Sequence, residues 1–249
     1  MNIWFHVGNL LKNAMPLHHK LHDLLLRCGI SLSSVTPCTQ VQELFGKLKY
    51  NNGGKLIHLG SSGDGGYWIP DDLEGVDYCF SPGVANQSSF EEDLAMRGIK
   101  VFLADRSVEK PPVNNPNFLF LKSHVGSFSD ESVGLISLNQ WYAKVIPASE
   151  RNEDNLLLQM DIEGCEYEVI HSVSEELLKK FRILIIEFHN LHQLYNCNHF
   201  GYMSRAFDKL LQHHQVCCVN QNFSAGYMWI GNEKKARLLE ITFHRKNRY

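Results

Sequence analysis

The sequence predicts an α/β protein, a doubly wound and mostly parallel sheet that ends in an antiparallel hairpin and is preceded by a helical extension. Three observations carry this. From Lys55 onward, short continuous apolar runs bounded by Gly, Pro, Asn or Asp alternate with stretches of helical periodicity, the pattern of strands buried on both faces beneath crossover connections. In the last third, candidate strands follow one another with no helix between them, and a parallel return would need a crossover, so they must pair antiparallel. The first fifth shows helical spacing alone.

Leu17, Leu21, Leu24, Leu25 and Cys28 mark one helix face, and Val41, Leu44, Phe45 and Leu48 mark a second after a Thr36-Pro37 start; Asn51 to Gly54 stops it. Residues 1–54 are therefore expected to form an N-terminal helical extension and 55–249 a Rossmann-like domain. The extension could cap that domain, pair with a second subunit to make a homodimer, or lie on a membrane surface, the last being weakest because basic residues are sparse there. Strands are expected at Leu56 to Leu59, Asp77 to Phe80, Val101 to Ala104, Phe118 to Lys122, Leu156 to Met160 and Ile183 to Ile186. Gln87 to Arg97 and Tyr167 to Phe181 read as helices, the second with Val169, Val173 and Leu177 inward and Glu175-Lys179 and Glu176-Lys180 pairs outward. Pro111 to Asn117 replaces a crossover helix by a loop. A helix over Phe200 to His214, burying Met203, Phe207, Leu210 and Leu211, precedes strands at Val216 to Val219, Tyr227 to Ile230 and Leu238 to Phe243.

Composition limits the function. Lys and Arg total 24 against 27 Asp and Glu, a formal charge of -3, which leaves no cationic excess for a nucleic-acid backbone or an anionic membrane. Seven scattered cysteines without a Cys-x-x-Cys pair suit a reducing, cytoplasmic setting. The apolar start at Met1 to Leu11 is broken by Gly8, Asn9 and Lys12, so neither a signal peptide nor a transmembrane segment is expected there.

Chemistry is expected where strands end. In Phe80-Ser-Pro-Gly-Val-Ala-Asn-Gln-Ser-Ser-Phe90 a strand passes through a turn into a helix, and Gly83 allows close approach to a ligand; a tight turn with no ligand is the alternative. Asp105 closes the next strand about 20 residues on, the distance at which a carboxylate meets a ribose diol in doubly wound folds. It could equally cap the loop that starts at Arg106-Ser107. Asp161 leaves a buried apolar strand at its carboxyl end, followed by Glu163 and Glu166, the latter placed to face a helix dipole. Strand alternation puts Glu187 and His189 on one face, so Asp161, Glu187 and His189 converge if their strands are neighbours. Such a trio could hold a divalent cation, could orient His189 as a base, or could be a structural network. Gly60 to Tyr67 reads as a hairpin turn or as a mobile loop offering Asp64 over a cofactor, and His124 as a packing residue or part of an adenine pocket.

The segment Leu158-Gln-Met-Asp-Ile-Glu-Gly-Cys-Glu166, with Ile136 to Trp141 before it and Ile185-Ile-Glu187 after it, resembles the FkbM-type branch of class I S-adenosylmethionine-dependent methyltransferases. The likeness runs from about Asp77 to His189 and implies a parallel sheet closed by an antiparallel hairpin. It implies S-adenosylmethionine as cofactor, with Gly83, Ala85, Asn86 and Ser88 at its methionine part and Asp105, Arg106, His124 and Asp64 around the remainder. Ser81, Gly83, Ala85 and Asn86 stand where the family has an acid and two or three glycines. His189 stands where related metal-using sugar methyltransferases have an acid.

The expected activity is methyl transfer to a sugar hydroxyl of a polysaccharide, glycolipid or glycosylated small-molecule product. Asp161, Glu187 and His189 would be catalytic, and the same three could ligate magnesium or manganese. An NAD-dependent oxidoreductase competes, though the glycine triplet is missing, and so does a non-catalytic carbohydrate-binding scaffold.

Overall fold

The computed structural model describes residues 24–29, 33–50, 54–63, 65–151 and 154–246. Leu17, Leu21 and Asp64 lie outside these. The sheet is built from β3 (Tyr78–Pro82), β4 (Lys100–Ala104), β5 (Phe118–Leu121), β8 (Leu156–Met160), β9 (Phe181–Phe188), β10 (His214–Ile230) and β11 (Glu233–Arg245), in the order β10-β11-β9-β8-β3-β4-β5. Five strands are parallel; β11 pairs antiparallel with β9 and with β10, which is the expected terminal hairpin.

Alternation along the strands divides the core in two. Phe80, Phe102, Leu158, Leu184 and Ile186 face one layer, while Cys79, Val101, Leu157, Ile183 and Ile185 face the other. The first layer is covered by α1 (Cys38–Lys47), α3 (Leu138–Val145), α4 (Glu166–Ser172), α5 (Glu175–Lys180) and α6 (Cys197–His213). The second is covered by α2 (Ser89–Met96) and by the antiparallel hairpin of β1 (Leu56–Gly60) and β2 (Gly66–Pro70). The hairpin puts Leu59, Tyr67 and Ile69 into this second layer and lies against α2 and against strands β9, β10 and β11. Two short strands, β6 (His124–Gly126) and β7 (Leu135–Ser137), pair in parallel on the other side of the sheet, where Val125 and Ile136 join the first layer.

Three expectations change. The helix over Tyr167 to Phe181 is two helices, because Val173 is extended and Ser174 caps the second by accepting from Leu177 N–H. Lys180, placed on a solvated face by the sequence, is buried. The strands expected at Val216 to Val219 and Tyr227 to Ile230 are one, β10, bulged between Asn222 and Tyr227: Asn222 pairs with Leu238 and Tyr227 with Ala236. The polar run Asn220 to Asn222 followed by Ser224 and Gly226 reads locally as a turn, but pairing with β11 holds it extended on both sides and lifts Phe223 to Gly226 out of the ladder. The helix from the N-terminal region, α1, puts Val41, Leu44 and Leu48 into the same core as the sheet.

Phe80 lies at the centre of that core, with ring centroids 5.1 Å from Phe102, 5.0 Å from Trp141 and 6.0 Å from Phe181. Phe80→Ala is expected to lower stability by about 3–5 kcal/mol, read as a lower urea midpoint at unchanged slope.

Candidate active site

Strands β8 and β9 run parallel in register, Met160 beside Ile186, so the residues that follow leave the sheet at one level. Asp161 and Glu187 are thereby side by side, and with His189 they offer ligand atoms all within 4.8 Å of one another. The convergence expected from alternation is present. What holds the imidazole differs from expectation. Glu166, fully buried at the start of α4, accepts from His189 Nδ1 at 2.9 Å and from the backbone N–H groups of Gly164 at 3.0 Å and Ile162 at 3.3 Å. Tyr167 O–H donates to the His189 carbonyl at 3.0 Å. Glu166, read as a helix-dipole residue, is thus the anchor of the ring and of the loop that carries Glu163 at φ 57°.

With Nδ1 committed to Glu166, Nε2 turns towards the site, 3.8 Å from Asp161 Oδ1 and 3.4 Å from Glu163 Oε2. Burial alone would lower the affinity of this ring for a proton. The hydrogen bond and charge of Glu166, with the charges of Asp161 and Glu187, outweigh it and lift His189 to about 9. Near neutral pH the free imidazolium donates at both nitrogens and has no lone pair to act as a base. Burial, then the charge of Asp161 and a hydrogen bond with it, raise Glu187 to about 8, and burial raises Asp161 as well. The two carboxyl groups behave as a pair sharing a proton. Asn222 Nδ2 donates to Glu187 at 3.1 Å, and Asp161 Oδ1 is buried with no hydrogen-bond partner among the described residues.

The turn after β3 packs against Asp161 from the other side. Gly83 has φ 91°, and a Cβ there would lie 1.5 Å from the Asp161 carbonyl oxygen; the close approach that needs glycine is made by backbone. Beside it lies a cavity of about 290 Å³ lined by Gly83, Ala85, Asn86, Glu91, Gln159 and Asp161, among others. Asp105 accepts from Ala85 N–H at 2.8 Å with one oxygen and from the N–H and O–H of Ser107 at 2.7 Å with the other. It sets the turn and caps its own loop, and is not itself in the cavity wall. Ser88 is buried and bonded to Glu92, Arg106 donates to the Val133 carbonyl, and His124 is exposed on β6; none of the three lines this cavity.

A larger cavity, about 1050 Å³, opens between the β1–β2 hairpin and the β10 bulge. Asp161 lines both cavities, whereas Glu187 and His189 line the larger one only. The hairpin tip is tied to α2, with Gly60 N–H donating to Asp93 at 2.7 Å and Ser61 N–H to Ser89 at 2.9 Å, and so forms a fixed part of the partition. Trp68 and Phe223, each about half exposed at 50% and 48%, flank the opening. Neither aromatic was singled out by the sequence, since alternation along β2 marks Trp68 only as outward and nothing local announces the bulge.

The comparisons bear on this site unequally. No curated protein matches the chain. Among solved structures, the fibrillarin–Nop5p complex aligns at 10% identity over 69% of this chain and 73% of that one, TM-score 0.39. CmcI aligns at 10% identity over 84% and 71%, TM-score 0.40. A 16S rRNA (adenine(1408)-N(1))-methyltransferase from Catenulisporales acidiphilia aligns at 12% over 76% and 98%, TM-score 0.32. At that distance these likenesses bear on neither donor nor acceptor. The family model "Methyltransferase FkbM domain" matches residues 133–215. Asp161, Glu166, Glu187 and His189 all lie within the stretch that matches this methyltransferase FkbM domain.

Proposed function

We propose that this protein transfers the methyl group of S-adenosylmethionine to a hydroxyl oxygen of a sugar, on a polysaccharide, glycolipid or glycosylated small product. The observation that carries the reading is the position of Asp161 in the wall common to a small cavity beside the Gly83 turn and a large open one. A donor seated in the first and an acceptor in the second would meet at that residue. The acceptor oxygen attacks the methyl carbon in line, the carbon–sulfur bond breaks with its electron pair left on sulfur, and the hydroxyl proton must go to a base. The Asp161–Glu187 pair is that base once the proton it shares has been lost, while the imidazolium of His189 steadies the ionised carboxylates. Half-exposed Trp68 and Phe223 offer apolar ring faces of the kind that stack on the C–H faces of a sugar.

Two carboxylates and an imidazole whose other nitrogen is fixed by Glu166 also fit a divalent cation, magnesium or manganese, and the bare Oδ1 of Asp161 suits a ligand position. Bound there, it would polarise the acceptor hydroxyl. Transfer that survives exhaustive chelation would remove the cation from the reading and leave the carboxylate pair.

The test is transfer of labelled methyl to a panel of glycans, with calorimetric titration of S-adenosylhomocysteine and of NAD. Incorporation into a glycan with binding of the nucleoside thioether supports the reading. Binding of NAD alone would replace it by an oxidoreductase, and label reaching no glycan would remove the sugar. Trp68→Ala is expected to raise KM for the glycan by roughly 2- to 10-fold, the worth of one ring contact, with affinity for S-adenosylhomocysteine unchanged.

A further inference from the structure

One buried acid takes no part in the reaction just described. Glu91 stands in the first turn of α2, yet it is only 4% exposed and shares the inward stripe of Phe90, Leu94 and Ala95. It lines the small cavity, together with Tyr67, Gln159 and the Gly83 turn. Ser81 Oγ is 2.6 Å from Glu91 Oε1 and 2.8 Å from Gln159 Oε1, and Gln159 Nε2 donates to Tyr67 Oη at 3.1 Å.

That chain of contacts can carry two proton arrangements. A hydroxyl has one hydrogen, so Ser81 cannot donate to both of its acceptors. With the Gln159 oxygen towards Ser81, Ser81 donates to Gln159 and a neutral Glu91 donates to Ser81. Turning the Gln159 amide over lets it donate to Ser81, accept from Tyr67, and leave Ser81 to donate to an ionised Glu91. The network therefore fits both an uncharged and a charged carboxyl at the cavity wall. Burial drives Glu91 up to about 7, against the opposing hydrogen bond from Ser81, and Glu92 adds to the rise. The other titratable groups around it are Tyr67 on β2, Cys79 on β3 and, across the cavity, Asp161 after β8; α2 itself adds Asp93, bound to Gly60. All are acidic or neutral. An ionised Glu91 in this place has the Ser81 hydrogen bond but no opposite charge beside it until a cation arrives.

We propose that Glu91 binds the α-ammonium group of the S-adenosylmethionine donor at the floor of the cavity beside Gly83. This rests on the methyltransferase reading above. An ammonium group has three hydrogen-bond donors as well as charge, and the cavity offers it a carboxylate and the Gln159 amide as acceptors. A volume of about 290 Å³ suits the amino-acid end of the donor, with the nucleoside extending beyond it. The thioether product keeps the same ammonium, so Glu91 would grip donor and product alike and contribute to affinity rather than to the methyl transfer itself.

Calorimetric titration between pH 5.5 and 8 tests this without turnover. S-Adenosylhomocysteine should bind the wild-type protein with affinity falling up to about tenfold per pH unit below about 7, because Glu91 must lose its proton to receive the ammonium. Methylthioadenosine, which lacks the amino-acid end, should lack that component. Glu91→Gln, an isosteric change, should weaken S-adenosylhomocysteine at pH 8 by roughly 10- to 100-fold, the worth of a charge-assisted hydrogen bond, and flatten the slope. Ser81→Ala should keep the slope and move its midpoint upward, since it removes the bond that favours the ionised carboxyl. A slope that persists in Glu91→Gln, or equal losses for the two nucleosides, overturns the assignment while leaving the methyltransferase reading in place. A wild-type protein that binds neither nucleoside removes both.

Discussion

Asp161→Asn is expected to cut turnover by about 10²- to 10⁴-fold, the range for loss of a positioned base, with S-adenosylhomocysteine affinity changed far less. The wild-type rate should rise with pH through about 8, because Glu187 is lifted that far by burial and by the charge of Asp161, and the second carboxylate becomes available only as it ionises. The sign follows from the acid: a carboxyl raised above its ordinary value is protonated and inactive as a base below the raised value. The amide in Asp161→Asn removes the negative neighbour, so the residual activity should acquire a lower midpoint as Glu187 relaxes towards ordinary carboxyl behaviour. Loss of rate together with a downward midpoint separates a paired base from simple damage, which would lower the rate without moving the profile. Near-wild-type turnover in Asp161→Asn, or a flat wild-type profile across pH 6–9, would remove the carboxylate pair from the mechanism.

The parts of this site that strand geometry dictates were legible in advance. A carboxylate that ends a run of buried apolar residues has to emerge at the sheet edge, and Asp161 does; alternation alone brings Glu187 and His189 to one face. Glu166 and Glu91 were not legible, and for one reason. An acid in the first turn of a helix follows the same local rule whether it meets solvent and the helix dipole or is sealed against a sheet. Glu91 left a faint signal, since it falls within the stripe formed by Phe90, Leu94 and Ala95. Glu166 left none, because its partner His189 comes from a different strand. Asp105 shows the same ambiguity in spacing: the distance from Gly83 that suits a ribose-binding acid also suits one that fastens Ala85 to the next loop. For β10, turn-forming residues outvoted the pairing with β11 that only the folded sheet reveals.

Gly83→Ala is expected to be the most damaging single substitution near the site. Two penalties combine at this position. The φ of 91° is one that L side chains rarely adopt, and the added Cβ would sit 1.5 Å from the carbonyl oxygen of Asp161 and 2.6 Å from its carbonyl carbon. Both are backbone atoms, so no side-chain rotation relieves the clash; β3 and β8 must separate where Asp161 N–H donates to the Pro82 carbonyl at 3.2 Å. Backbone strain and overpacking together come to about 2–6 kcal/mol, a large share of the total stability of an ordinary domain. Gly98 supplies the control: its φ of 84° is similar, but a Cβ there meets nothing within 4 Å, so Gly98→Ala carries the strain alone. The difference between the two variants in urea unfolding measures the contact between the Gly83 turn and Asp161. The same shift should displace Asp161 from the wall between the two cavities, so S-adenosylhomocysteine binding and methyl transfer should fall together in folded Gly83→Ala protein. Equal stabilities for the two variants, with nucleoside binding intact in both, would mean that the turn and the acid are not mechanically joined, and that the site does not depend on the packing that brings them together.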